Sequence, residues 1–177
     1  MKDTKNKRKI LFFILCFSIF YFAGCNLNSE IYKKGEVIIN NQIIKVEIAD
    51  KPELMLKGLS GRKNLAENSG MLFIFSKPDI YKFWMKEMKF PLDIIWIQTR
   101  TNADLTQTYE EIPGELVIGI EGQIVEIWQN APIPQTKTEI PLYRPQNLAN
   151  YVLEVKAGTV EKYGWKVGDE VEIRLYK

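Results

Sequence analysis

Short runs of β-branched and aromatic residues, each closed by glycine, asparagine, proline or aspartate, recur from residue 36 to the end of this chain, and the helical patterns between them are brief. "EVIINNQIIKVEIAD" alternates apolar with polar residues around Asn40-Asn41. Asparagine tolerates positive φ, so the pattern predicts a hairpin with Ile44, Val46 and Ile48 on one face of its second strand. Further strands are expected at "MLFIF", from Phe83 to about Lys86, at "LDIIWI", at "YVLEV" and at "EVEIRL". "LVIGI" and "IVEIW" are expected to pair as a hairpin turning at Glu121-Gly122-Gln123.

The period changes in "ADKPELMLKGLSGR". Pro52 suits a first helical turn, Asp50 with Glu53 three residues on can form a cap, and Gly58 or Gly61 can end the helix. A second short helix is expected from Thr159, as its cap, to Gly164. Residues 99–115 are polar and rich in turn formers, which predicts a surface loop with room for a short strand of its own. The four prolines between Asn130 and Asn147 forbid regular pairing and predict a rigid, partly extended loop.

The start of the chain follows another logic. Residues 1–9 carry five bases against Asp3, Ile10 to Ala23 carry no charge, and Ala23-Gly24-Cys25 closes the run. A basic head, an apolar middle and a small-residue end make a secretory signal. The apolar run is shorter than the roughly 20 residues needed to cross a bilayer as a helix. "FAGC" resembles the lipobox of bacterial lipoproteins, with Phe22 where leucine is commoner. It implies cleavage before Cys25, a diacylglycerol on that cysteine, and stable anchoring by two acyl chains. An uncleaved signal anchor is the other reading. The expected organisation is a signal over 1–24, a lipidated cysteine and tether over 25–35, and a single β-rich domain over 36–177, attached to the membrane on its extracytoplasmic side.

That processing removes Cys16 and uses Cys25, leaving no thiol for a disulfide or a nucleophile. The chain has no histidine, which removes imidazole acid/base chemistry and the commonest nitrogen ligand for metals. Subtracting the leader turns the net charge of +2 slightly negative, with no basic footprint for nucleic acid. No phosphate loop, zinc spacing, GxSxG nucleophile or calcium loop is present, so no cofactor or metal is expected.

Taken in order, "GLSGRKNL", "GMLFIF", "FWMKEMKFPLDIIWI" and "YVLEVKAGTVEKYGWKVGDEVEI" resemble the prokaryotic family of domain of unknown function 192, over about residues 43 to 175. The resemblance implies a mainly β fold, a compact barrel-like or sandwich domain with one or two short helices. It implies no established activity. Between Gln98 and Gln123 the chain carries an insertion relative to that pattern, so no site is transferred to that end.

The charges in "FWMKEMKFPLDIIWI" divide by pattern. Lys86, Glu87 and Lys89 fall at a turn before Pro91, whereas Asp93 points where Ile95 and Ile97 point. A carboxylate among isoleucines is part desolvated and could serve as a general acid/base, with Glu87 as a second acid. The alternative, and the favoured one, is a structural aspartate that holds the Phe90-Pro91 turn or pairs with Arg62. Arg62 itself suits a carboxylate or phosphate, and Ser60 reads as a turn residue. Phe83, Trp84, Phe90, Trp96 and Trp128 could line a cleft or fill a core. The preferred reading is a non-catalytic module that binds a small molecule, glycan or protein through a face made by Arg62, Trp84 and Asp93. The rival is a small hydrolase or lyase acting on envelope carbohydrate with Asp93 as acid/base.

Overall fold

The computed structural model describes residues 32–99, 108–112, 115–136 and 140–176. The expected signal segment, the expected tether before Tyr32 and the expected lipidation at Cys25 fall outside the described residues, as does most of the stretch 99–115 expected to form a surface loop.

The strands are β1 (Lys33–Ile39), β2 (Gln42–Ala49), β3 (Ser69–Asp79), β4 (Phe83–Trp84), β5 (Leu92–Thr99), β6 (Thr108–Ile112), β7 (Glu115–Ala131), β8 (Leu142–Tyr143), β9 (Ala149–Lys156) and β10 (Glu170–Tyr176). Two short helices, α1 (Pro52–Lys57) and α2 (Thr159–Tyr163), complete the set among the described residues. Seven strands close into a barrel in the order β1, β2, β3, β9, β5, β7, β10, the last pairing back to the first. All these pairs are antiparallel except β2 with β3. A parallel pair needs a crossover, and α1 with the turns after it supplies one.

Closure gives the strand alternation two destinations. Val37, Ile39, Ile44, Val46, Leu72, Ile95, Ile97, Leu153 and Ile173, drawn from strands all round the ring, meet inside. Their neighbours Met71, Phe73, Leu92, Ile94, Trp96 and Val152 point outward, where Leu54 and Leu59 of the crossover, Met85, Met88, Phe90 and Tyr143 cover them. β5 is therefore buried on both faces, and burying each such side chain is worth about 1.5–3 kcal/mol relative to exposure.

Several sequence expectations hold. Asn40 and Asn41 both take positive φ in the β1–β2 turn, Gly58 and Gly164 end the helices, and β6 is the short strand within the insertion. Others need correction. Strand pairing begins at Lys33 rather than after residue 35, because Lys33 to Gly35 continue the ladder to Ile48 through Val46. Glu121-Gly122-Gln123 is not a turn: β7 runs straight through it, held by β10 on one side through Val171 opposite Gly122. The missing side chain is used for close approach, since a Cβ on Gly122 would lie 3.0 Å from the Gln98 carbonyl oxygen. The strand from Phe83 stops at Trp84 and gives way to a turn. Asp50 does not cap α1; its carboxylate accepts from Lys33 Nζ at 2.7 Å. Thr159 does not cap α2 either, its hydroxyl donating back to the Lys156 carbonyl while Gly158 takes the cap position.

Candidate functional site

Asp93 faces the barrel interior opposite Val155 and is fully buried. Its two carboxylate oxygens are both occupied: Oδ1 accepts the Asn130 backbone N–H at 2.8 Å and Oδ2 accepts that of Val160 at 2.9 Å. One carboxylate thus ties the end of β7, where Asn130 has φ of 54°, to the first turn of α2. Such a group joins elements together, and its complete burial keeps it from solvent.

Arg62 lies elsewhere and has another partner. Its guanidinium donates two bonds to Glu47, at 2.7 and 2.6 Å, and lies over the Tyr32 ring. The hydrogen bonds from Arg62, more than its charge, hold the Glu47 carboxyl below its ordinary range. The expected Arg62–Asp93 pair is therefore replaced by two separate arrangements. The face proposed from Arg62, Trp84 and Asp93 loses its aspartate to the interior, because Asp93 alternates inward with Ile95 and Ile97.

The aromatic residues also separate. Phe83 packs edge-on against Phe73, with ring centroids 4.8 Å apart, and against Trp96, whose Nε1–H donates to the Tyr81 carbonyl. Phe90 is buried too. Trp84 and Trp128 stay close to half exposed, at 44% and 46%. Trp84 pairs with the exposed Leu142 across β4–β8, whereas Trp128 rests against Tyr143, whose side chain alternates to the other face of that ribbon.

Beside Trp84 runs the turn that carries Lys86, Glu87 and Lys89, all exposed. Glu87 has φ of 58° and its carbonyl accepts the Gly61 N–H, while the Ser60 hydroxyl donates to the Lys86 carbonyl at 2.8 Å. The "GLSGR" turn and the "KEM" turn are thereby fastened to one another. Glu87 is exposed at the tip of this turn. Between this turn and Ile133 to Thr136 opens a groove of about 680 Å3, walled by Lys86, Met88 and Lys89 on one side and by Ile133, Pro134 and Gln135 on the other.

On the other side of Met88 is a smaller cavity, about 30 Å3, roofed by Leu59 and Ser60 and walled by Phe73, Phe83 and Trp84. Glu154 forms part of its lining. This residue is 4% exposed, stands on the outer face of β9 between Met71 and Ile94, and makes no hydrogen bond or ion pair with any described residue. Burial alone pushes its carboxyl up to about 8, so it carries a proton at neutral pH. Sequence reasoning passed over it. A single acid inside "YVLEV" is the same signal that drew attention to Asp93, and the pattern does not say which of the two will find partners.

Among the described residues no group of three or more acidic, histidine or cysteine side chains comes together to hold a metal, and no helix is long and apolar enough to cross a membrane.

The model of the DUF192 family, described as an uncharacterised group, matches residues 35–113 and 116–173. No curated protein matches the chain. Among solved structures, a candidate transcription regulator from Sinorhizobium meliloti is similar at 27% identity and a TM-score of 0.59, over 79% of this chain and 93% of that one. A protein of unknown function from Novosphingobium aromaticivorans is similar at 26% identity and a TM-score of 0.57, over 78% of this chain and 82% of its own.

Proposed function

Given that this chain belongs to the uncharacterised DUF192 family, we propose from its own geometry that it is a lipid-anchored extracytoplasmic binding module, whose ligand lies along the groove between the 86–89 turn and the 133–136 segment. The observation that carries this reading is the groove itself: about 680 Å3, within the range of ligand sites, with lysines and apolar walls mixed. Exposed Trp84, Trp128 and Leu142 lie on the elements next to it. Large apolar side chains left exposed beside a groove are a feature of binding surfaces. The anchor rests on the leader and "FAGC", with Cys25 as the lipidated residue.

Binding is favoured over hydrolysis with Asp93 as acid/base by one fact. Both oxygens of Asp93 are taken by backbone N–H groups, and a general acid/base must reach the proton it moves. Metabolic labelling with a fatty acid, together with a thermal-shift screen of the purified full chain against glycans, peptides and small metabolites, tests the two halves. Lipid incorporation abolished by Cys25→Ser, and a ligand whose stabilisation is lost in Lys89→Ala or Trp84→Ala, are the expected results. Unchanged mass and membrane fractionation in Cys25→Ser would make the apolar leader the anchor. Turnover of a glycan lost in Asp93→Asn would restore the hydrolase.

A further inference from the structure

We propose that the cavity beneath Trp84 is a sugar-binding subsite, in which the carboxyl of Glu154 meets a hydroxyl of an uncharged saccharide while the apolar face of the ring rests against the Trp84 indole. This rests on the reading that the surrounding face binds a ligand, and it names the ligand's class.

A buried carboxyl without a partner is costly, and proteins retain few of them. Glu154 has Met71 and Ile94 on either side within the sheet, and Phe73, Phe83 and Leu59 over it. Among the described residues it lines one small cavity, which at about 30 Å3 has room for about one hydroxyl-sized group. The chemistry of that group follows from the state of the acid. A protonated carboxyl both donates and accepts, and so does a hydroxyl, so each satisfies the other.

The charges around the cavity argue against other ligands. Lys57 from α1 lines it, and Lys86 Nζ lies 5.8 Å from the centre of the Trp84 ring. Neither relieves Glu154, whose shift has burial as its sole cause. A ligand ammonium would have to enter past both lysines. A metal ion would find one carboxyl where it needs several oxygen ligands. An uncharged ring with an apolar face and projecting hydroxyls meets neither obstacle.

The same arrangement limits the site to binding. Glycoside cleavage uses two carboxyl groups about 5–9.5 Å apart across the bond. Asp93, the other buried carboxylate in this region, points to the opposite face of the sheet, with both oxygens bonded.

Calorimetric titration of the full chain with maltotriose and with the β-linked trimer of N-acetylglucosamine, at about pH 6, 7 and 9, tests the proposal. At least one of the two is expected to bind, about tenfold more weakly at pH 9 than at pH 7, because ionisation of Glu154 removes its donor. Glu154→Gln keeps a donor and should bind without that pH dependence. Glu154→Leu, which replaces a buried acid by an apolar group and so should fold, is expected to lose at least tenfold in affinity. Failure of both sugars to bind, affinity unchanged in Glu154→Leu, or affinity that rises with pH as an ammonium site requires, would each overturn the subsite. Sugar binding lost in Lys89→Ala but indifferent to Glu154→Leu overturns the subsite and leaves the groove. No ligand of any class for the full chain removes both.

Discussion

Replacing Asp93 by alanine removes the shared acceptor of two buried N–H groups, those of Asn130 and Val160. Hydrogen bonds to a charged partner contribute about 1.5–3 kcal/mol each, and an N–H left buried and unsatisfied costs about 1–3 kcal/mol. Allowing for partial relief by a water in the vacated space, the loss should be about 4 kcal/mol. That corresponds to a fall in melting temperature of roughly 10 °C for a domain of this size. Asp93→Asn keeps one acceptor but turns an amide NH2 towards the other N–H, so about half that loss is expected. The Arg62–Glu47 pair, two-pronged but part exposed, should lose about 1 kcal/mol in Arg62→Ala. Because the two sites share no partner, the double variant Arg62→Ala/Asp93→Ala should equal the sum of the singles within about 0.5 kcal/mol, whereas Arg62→Ala/Glu47→Ala should fall short of its sum. Equilibrium urea denaturation of the single and double variants, followed by tryptophan fluorescence, measures all of these. A coupling above about 1 kcal/mol between Arg62 and Asp93, or a loss below about 1 kcal/mol in Asp93→Ala, would refute the assignment of the carboxylate to the two backbone amides.

Glu154 should make stability fall as pH rises. Its folded carboxyl titrates near 8 and its unfolded one near 4.5, so between those values the folded state holds the extra proton and stability drops by up to about 1.4 kcal/mol per pH unit. Glu154→Gln should flatten that slope in urea melts from about pH 5 to pH 8, and an unchanged slope would mean the group is not desolvated. Glu47 acts in the opposite sense: its folded carboxyl is lowered, so its contribution is present above the unfolded value near 4.5 and is lost as pH falls through the folded one. Trp165 is buried with no acceptor for its Nε1–H among the described residues. Trp165→Phe gives up apolar area but also removes an unsatisfied donor, so thermal denaturation should place it within about 1 kcal/mol of the parent, and a loss above about 3 kcal/mol would reveal a hidden partner. Glu87 occupies left-handed backbone in the turn, so Glu87→Gly should leave stability unchanged or raise it by up to about 1 kcal/mol, while Lys86→Ala and Lys89→Ala should each change it by about 0.5 kcal/mol or less.

The sequence determined what local chemistry can determine. Asn40-Asn41 had to turn because their backbone must take positive φ, and Pro91 had to stand outside the ladder. Lys86, Glu87 and Lys89 were legible as an exposed turn because they cluster just before Pro91, which cannot donate to a ladder. Strand alternation also showed that Asp93 shares a direction with Ile95 and Ile97. It could not show which direction is inside, or that both faces of β5 would be covered. Those outcomes depend on β10 closing the ring between β1 and β7, and on α1 and the 83–91 segment folding back over the outer face, contacts between residues far apart in the chain. The same distance hid the partners. Asp93 met backbone amides 37 and 67 residues away, and Arg62 met a glutamate across the crossover. Backbone donors leave no mark in a side-chain pattern. Two acids in apolar strands, Asp93 and Glu154, therefore read alike in the sequence, and only the closed barrel made one a structural tie and left the other facing a cavity.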